Sequence, residues 1–270
     1  MKSICLQQNA RSFERAFFRS GGGIGVHGYD VDVSPPPGMI RTRPHAVIES
    51  RRVMNSPPMP VKFELAPGKT NHDWLALSPG LKARAEAKAS DPAEWKKILR
   101  EFYRARLLSR YISPIKAIRR LRRNKGEGFS MVALQCSLIE FLESTFQGKN
   151  YRYKDPVPPH EYAGSGEIFK KFLTSKKPFN AKFSRPEIAK EFYECVRCGI
   201  LHEARTNQAW RVWTSSRSGS VIDFARKIVY RDDFQDALEE FIADYCSTVP
   251  NDYELQLAFI RKYDALSQVT

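Results

Sequence analysis

The chain of 270 residues has no apolar run near the roughly 20 residues that a membrane span needs, and its N-terminus lacks the uninterrupted apolar core of a secretory signal. Cysteine is scarce: there are five, an odd number without scaffold-like spacing, which predicts free thiols in a reducing compartment. The glycine-rich run at 21–25 lacks the Lys-Ser/Thr ending of a phosphate-binding loop. We therefore expect a cytoplasmic protein with no membrane partner and no P-loop.

Acidic residues are few compared with basic ones, 30 against 44, and the formal net charge is +14. Such an excess makes a polyanion, first of all a nucleic acid, the expected partner. Residues 1–60 hold 7 of the 17 prolines and 6 of the 15 glycines. A segment of this composition cannot bury enough apolar surface to offset the entropy lost when it becomes ordered. We predict that 1–60 is a disordered leader, a candidate for translation from upstream of the true start, and that 61–270 is the folded domain.

The folded part has the signals of a helical bundle. An N-cap followed by proline and an acid occurs at Asp91-Pro92-Ala93-Glu94, and a similar arrangement occurs at 184–187. β-Branched and aromatic residues predict short strands near 209–213, 221–222 and 228–230. We predict an all-α fold with a small inserted β-hairpin. The expected helices are 92–111, 114–124, 130–146, 166–175, 185–202, 232–247 and 252–266.

The first two of these helices form a basic helix pair at 92–125. Between Lys96 and Lys125 there are twelve Lys or Arg residues and one acid, Glu101, while apolar residues recur at helical spacing. Such a segment can bury one face and present the other to phosphates, although a solvated face that aids solubility is the alternative. The expected RNA-binding residues are Arg104, Arg119, Arg120, Arg122 and Arg123.

The most informative motif is the run Arg-Cys-Gly-Ile-Leu-His from Arg197 to His202. A permanently charged guanidinium and an imidazole that titrates near neutrality can hold a phosphate and move protons without a metal. The motif and its flanks, Phe192-Tyr193-Glu194-Cys195-Val196 and Glu203-Ala204-Arg205-Thr206, resemble the HEPN superfamily. The resemblance covers roughly residues 95–247. HEPN proteins are small all-helical domains, many of which are ribonucleases.

This resemblance implies a HEPN-like helical bundle that acts as a metal-independent endoribonuclease, in a toxin-antitoxin or antiviral defence setting. Arg197 and His202 would be the catalytic pair, and Glu140, on an earlier helix, would orient the arginine, with Glu143 as the second choice. A solvated acidic face is the competing interpretation of both carboxylates. The resemblance also implies a homodimer with a composite cleft, and an antitoxin or regulatory protein as a further partner. Active members usually have a polar residue after the arginine, whereas this chain has Cys198.

On a helical wheel Arg197 and His202 lie about 140° apart, with Cys195, Cys198 and Leu201 between them. These residues lie opposite the expected core stripe, which consists of Ala189, Phe192, Tyr193, Val196 and Ile200. The apolar strip of Cys195, Cys198 and Leu201 is the expected contact with a second copy. The alternative is a helix buried all round, with Arg197 held by an internal acid and His202 a satisfied core or cap histidine.

Two other interpretations of the sequence remain open. One is a non-catalytic RNA- or nucleotide-binding module that acts through a partner protein. The other is a zinc site, since Cys195, Cys198 and His202 are potential ligands, with Cys136, His160 or Cys246 as a fourth. Cysteines on successive turns of a helix are unusual for structural zinc, so we expect no metal and no cofactor.

Overall fold

A computed structural model describes residues 61–121 and 126–268, which are mainly helical. A two-stranded hairpin, β1 (Glu64–Ala66) and β2 (Lys69–Thr70), leads into helix α1 (Asn71–Glu86). The Thr70 hydroxyl accepts from the Asp73 amide while the Asp73 carboxylate accepts from the Thr70 amide, which caps the helix. The sequence patterns did not predict α1, because Pro79 lies inside it and normally interrupts a helix.

The second helix, α2, runs without a break over 92–121, so the predicted pair of basic helices is one helix in the described residues. It begins with Pro92–Ile98 and ends with Ser113–Leu121, and it contains two π-helical segments, Leu99–Arg104 and Leu108–Ile112. Pro114 follows the second of these directly. The expected break at this proline is therefore wrong, and a local widening of the helix precedes the residue that lacks an N–H. Residues 122–125 lie outside the described part.

Helix α3 (Glu127–Gln147) contacts α2 and four later helices and is buried on most of its circumference. It ends at Gly148, whose φ is +63°, and a Cβ at this position would lie 2.6 Å from the Ala258 carbonyl oxygen. Only glycine fits such a close approach with this backbone conformation. Cys136 and Glu143 of this helix are buried together with its apolar core residues.

Two strands, β3 (Asn150–Tyr151) and β4 (Glu161–Tyr162), pair in parallel before helix α4 (Ser165–Ser175). A short 3-10 turn, Phe179–Ala181, then leads to helix α5 over 186–203. This helix consists of Pro186–Phe192, a π-helical segment Tyr193–Cys198, and Gly199–Glu203. It stops at Ala204, which has a left-handed φ of +54°.

The predicted hairpin is part of a three-stranded sheet. Strands β6 (Ile222–Asp223) and β7 (Ile228–Tyr230) are antiparallel, and β5 (Arg211–Trp213) adds to β7 in parallel, giving the order β5-β7-β6. Helix α6 (Arg231–Thr248) follows β7 at once. A 3-10 turn, Val249–Asn251, and helix α7 (Tyr253–Leu266) complete the described chain.

Helix α7 packs on α1 and α3, and aromatic rings fill the interface. Trp74 contacts Phe102, Phe259 and Tyr263 with ring centroids 5.1–5.8 Å apart. Around α5, Phe192 contacts Phe234, Trp210 and Phe183 at 5.3–5.7 Å. The fold is thus of the all-α class with minor strands, and none of the helices described here is long and apolar enough to cross a bilayer.

Candidate functional site

Helix α5 carries the Arg197–His202 motif. Its inner face packs through Ala189, Phe192, Val196 and Ile200, as the apolar spacing predicts, and Ile188 is buried with them. Tyr193, which was also expected in the core, is only half-buried. The π-helical segment Tyr193–Cys198 contains Arg197 near its end, and single π-helical turns occur frequently at functional sites. The turn therefore places the arginine where α5 lies against α3 and α4.

Arg197 lies in a polar network that joins three helices. Its Nη2 atom donates to Ser165 Oγ at 3.1 Å and lies 3.9 Å from Glu140 Oε2. The guanidinium carbon is 5.3 Å from the centre of the Tyr193 ring, and the Tyr193 hydroxyl is 3.1 Å from Ser165 Oγ. With 18% of its side chain exposed, Arg197 retains a small surface toward solvent.

Glu140 links this arginine to a second set of groups. Its Oε1 accepts from the Tyr162 hydroxyl at 3.2 Å, and burial together with the Glu140 charge raises the pKa of Tyr162. Burial also lowers the pKa of Lys262 to about 8, although the charge of Glu140 opposes that shift. The Lys262 ammonium donates to the Lys149 carbonyl at 3.0 Å. A carboxylate that serves Arg197 and Tyr162 and lies near Lys262 is well placed to fix the arginine.

Glu143, the second choice from the sequence, lies elsewhere. Its Oε2 is 3.6 Å from the Lys176 ammonium, and its Oε1 accepts from Gln147. Burial raises the pKa of Glu143, which is 1% exposed, although Lys176 opposes the shift. The two carboxylates therefore do not form a solvated acidic face, and Glu140 is the one that meets Arg197.

The apolar strip of Cys195, Cys198 and Leu201 is only partly free. Cys195 is buried by the chain itself, since its carbonyl accepts from the Asn207 amide at 2.8 Å. A Cβ at Gly199 would lie 2.7 Å from the Arg205 carbonyl, so the segment after α5 folds back onto it. Leu201, in contrast, is 42% exposed. The expectation of a continuous exposed strip is wrong for Cys195.

His202 lies in the last turn of α5 and is exposed. Among the described residues it has no hydrogen-bond or ion-pair partner, so it is not a buried core histidine. It lies five positions after Arg197, which corresponds to a rise of about 7.5 Å along the helix axis. The structure places the two side chains on one helix without bringing them into contact.

The predicted RNA-binding residues of α2 fall into different surroundings. Arg104 and Arg120 are exposed. Arg119 is held by α6, with Nε 3.0 Å from Asp232 Oδ2 and Nη1 3.3 Å from Asp236 Oδ1. Lys116 likewise pairs with Glu239. Arg122 and Arg123 lie outside the described residues. The acidic face of α6 thus neutralises part of the charge that the sequence count assigned to phosphates.

The sequence did not point to Ser165, Tyr162 or Tyr193 as part of the site. Tyr193 carried a usable signal, because it precedes Arg197 by four residues and therefore lies on the same side of the helix. Ser165 and Tyr162 come from other elements, and no local pattern connects them to α5. In the described part of the chain no three His, Cys, Asp or Glu side chains are grouped as metal ligands, so Cys195, Cys198 and His202 do not form such a set.

The chain matches no protein-family model, no curated protein and no solved structure. The HEPN interpretation therefore depends on the motif residues and on the arrangement around Arg197.

Proposed function

We propose that the chain is a metal-independent endoribonuclease of HEPN type. The observation that carries the proposal is the contact between Arg197 and Glu140, an acid on an earlier helix, with His202 exposed farther along the helix of the arginine. The HEPN resemblance implies this combination of three residues from two helices. A buried structural arginine would not require an exposed histidine on the same helix.

In the proposed reaction the ribose 2′-hydroxyl attacks the adjacent phosphorus, and the bond from phosphorus to the 5′-oxygen breaks. His202 takes the proton of the 2′-hydroxyl, or in its protonated form gives a proton to the leaving 5′-oxygen. Arg197 stabilises the charge on the phosphorane-like transition state through the N–H groups that Ser165 and Glu140 do not use. The products are a 2′,3′-cyclic phosphate and a 5′-hydroxyl end.

A second copy of the chain completes the proposed cleft. Leu201 is exposed beside His202 and offers an apolar contact at the end of α5. Two α5 helices that meet there bring the catalytic groups of both copies to one RNA.

Light scattering of Leu201→Glu should show a folded monomer with little cleavage, because a charge in an apolar contact is costly to desolvate. A wild-type monomer that cleaves RNA would contradict the composite cleft. An antitoxin or regulatory protein remains a proposed partner within a defence setting.

A specific observation favours a second candidate, the non-catalytic RNA-binding module. Arg197 already has partners within the fold, and it does not contact His202. In that case the two residues would bind RNA or support the fold, and a partner protein would act on the RNA.

Incubation with labelled single-stranded RNA in EDTA tests the catalytic proposal. Wild type should cut the RNA and leave cyclic phosphate ends. Loss of the general acid-base group in His202→Ala should reduce the rate about 10²- to 10⁴-fold. His160→Ala is the matched control, because His160 is also an exposed histidine but lies outside α5, and its rate should equal that of wild type. Cleavage that needs an added divalent metal, or that persists in His202→Ala, would contradict the proposal.

A further inference from the structure

An exposed tryptophan lies at the end of the small sheet. Trp213 is the last residue of β5 and pairs in parallel with Tyr230, whose ring meets it edge-on at 6.4 Å. Trp213 is 40% exposed, whereas Trp74, Trp95 and Trp210 are all buried. The sheet therefore holds one large aromatic ring in a fixed position at the surface. No requirement of the core explains a tryptophan there.

Two arginines accompany this ring. The guanidinium carbons of Arg226 and Arg211 lie 5.1 and 5.6 Å from the centre of the Trp213 ring. Arg211 also donates to the Arg226 carbonyl at 3.1 Å, which fixes its direction across the sheet. Both residues are exposed, and neither has an acidic partner among the described residues. The indole ring and the two guanidinium groups form an aromatic, positively charged surface.

A cavity of about 710 Å³ opens beside Trp213. The chain that connects β5 to β6 supplies Arg217 and several serines to its wall, and Lys182 contributes from another segment. The acid in this wall, Asp223, is engaged, since its Oδ1 accepts from the Arg226 amide at 3.0 Å. Asp233 Oδ2 likewise accepts a hydrogen bond from the Ser216 amide at 2.6 Å. The cavity therefore presents cations and hydroxyl groups next to an aromatic ring.

A second cavity, of about 460 Å³, also borders Trp213. Arg231 lines it, and this side chain is 8% exposed and lies 3.6 Å from Glu127 and 3.7 Å from Asp232. Its Nε atom has no hydrogen-bond partner in the described part of the chain. Trp213 thus adjoins two concave spaces, each with an arginine in its wall.

We propose that this Trp213 surface, comprising Trp213, Arg211, Arg217, Arg226 and Lys182, binds single-stranded RNA. An unpaired base stacks on the indole ring or on the guanidinium planes beside it, and the neighbouring phosphates contact the cations. Stacking on a protein ring requires bases that are not already stacked in a duplex, so the surface selects single strands. The inference relies on the proposed function only for the choice of RNA as the nucleic acid.

Intrinsic fluorescence gives this surface its own signal, because Trp213 is the one exposed tryptophan of the four. The experiment uses the His202→Ala protein in EDTA, so that the RNA stays intact, and a short single-stranded RNA of mixed sequence. RNA binding should quench the tryptophan emission. Trp213→Phe keeps an aromatic ring and should bind the same RNA with similar affinity, but without the quench. The same sequence as a duplex should bind more weakly and quench less.

Two further variants measure the affinity by anisotropy of fluorescein-labelled RNA. Trp213→Ala should weaken binding about 5- to 150-fold, the range that base stacking on an aromatic side chain supports. Arg217→Ala removes a single exposed cation and should lower the salt dependence of the affinity. Lys82→Ala, which removes an exposed cation from α1, is the matched control and should change neither quantity. Arg217→Ala and Trp213→Phe keep the test valid if Trp213→Ala does not fold.

The outcomes separate this inference from the proposed function. A quench that persists in Trp213→Phe, or unchanged RNA affinity in folded Trp213→Ala, would overturn the inference while RNA cleavage by wild type still stood. An acidic peptide that quenches Trp213 where RNA does not would also overturn it, in favour of a protein partner. Binding and quenching as expected, with no cleavage by wild type, would contradict only the endoribonuclease.

Discussion

Arg197 and His202 lie on one helix, yet the fold treats them differently. The arginine is engaged by Ser165, Tyr193 and Glu140 from three helices, whereas the histidine is exposed at the end of α5 without a partner among the described residues. A group that the fold holds contributes to stability as well as to any proposed function. Removal of a group that is exposed to solvent leaves the stability almost unchanged. The contrast therefore separates two kinds of residue within one motif, an arginine held by the fold and a histidine exposed to solvent.

The same contrast applies to the cations. Arg119 and Lys116 are paired with carboxylates of α6, while Arg104 and Arg120 in the same helix are exposed. The arginines beside Trp213 have no acidic partner in the described chain, although their segment is less basic than α2. The number of basic residues in a segment overstates the charge available to a phosphate when a later helix supplies acids.

The largest expected difference concerns Arg197 and His202 themselves. Arg197→Ala should reduce the free energy of unfolding by about 2–3 kcal/mol, because Ser165 and the partly buried Glu140 lose a charged hydrogen-bonding partner. His202→Ala should change it by less than about 0.5 kcal/mol, as expected for an exposed residue. Urea denaturation followed by circular dichroism measures both. Arg205→Ala, an exposed arginine just beyond α5, is the control and should resemble His202→Ala. Equal stabilities of all three variants would show that the Arg197 network contributes nothing.

A smaller effect tests the buried side of the network through pH. Burial lowers the pKa of Lys262 to about 8, from an ordinary value of 10.5. Between about pH 7 and pH 9 the folded protein therefore releases a proton that the unfolded chain still holds, so the contribution of Lys262 to stability rises with pH. The cost of the buried charge is fully present below pH 8. Relative to Lys262→Met, wild type should gain about 1 kcal/mol of unfolding free energy over this interval.

The Lys262 test is a difference between two denaturation series, so other titrating groups cancel. Parallel stability curves for wild type and Lys262→Met would mean that this lysine has an ordinary pKa in the folded state. A wild-type curve that falls relative to the variant would give the opposite sign and would contradict the burial argument.

Local signals in the sequence predicted much of the fold. The predicted helices 130–146, 166–175 and 232–247 agree with α3, α4 and α6, because apolar residues recur at helical spacing within each segment, although no side-chain hydrogen bond caps the start of any of the three. Helix α1 was missed because Pro79 lies inside it. The parallel pairing of β5 with β7 was missed because it joins strands that no short turn connects. Local patterns do not contain pairings of this kind.

The site shows the same division. The motif led to Arg197 and His202, and the family resemblance led to Glu140. Ser165 and Tyr162 come from segments whose own patterns carry no chemical signal. Ser165 reaches Arg197 from α4 and Tyr162 reaches Glu140 from β4, and both contacts depend on tertiary packing. The ion pair between Arg119 and Asp232 joins residues 113 positions apart, which a charge count along α2 does not register.

The smallest expected effect compares Arg119 with Arg120, adjacent residues of α2. Arg120→Ala should weaken binding of single-stranded RNA about 2- to 5-fold and lower the slope of log K against log salt by about one, because an exposed arginine releases a counterion when it meets a phosphate. Arg119→Ala should leave the slope unchanged and instead reduce the free energy of unfolding by about 0.2–1 kcal/mol, because its guanidinium is held by Asp232 and Asp236. Anisotropy titrations at several salt concentrations and urea denaturation measure the two quantities on the same proteins. Equal salt slopes for the two variants would show that α6 does not withhold Arg119 from RNA, and a loss of stability in Arg120→Ala alone would reverse the assignment of the two residues.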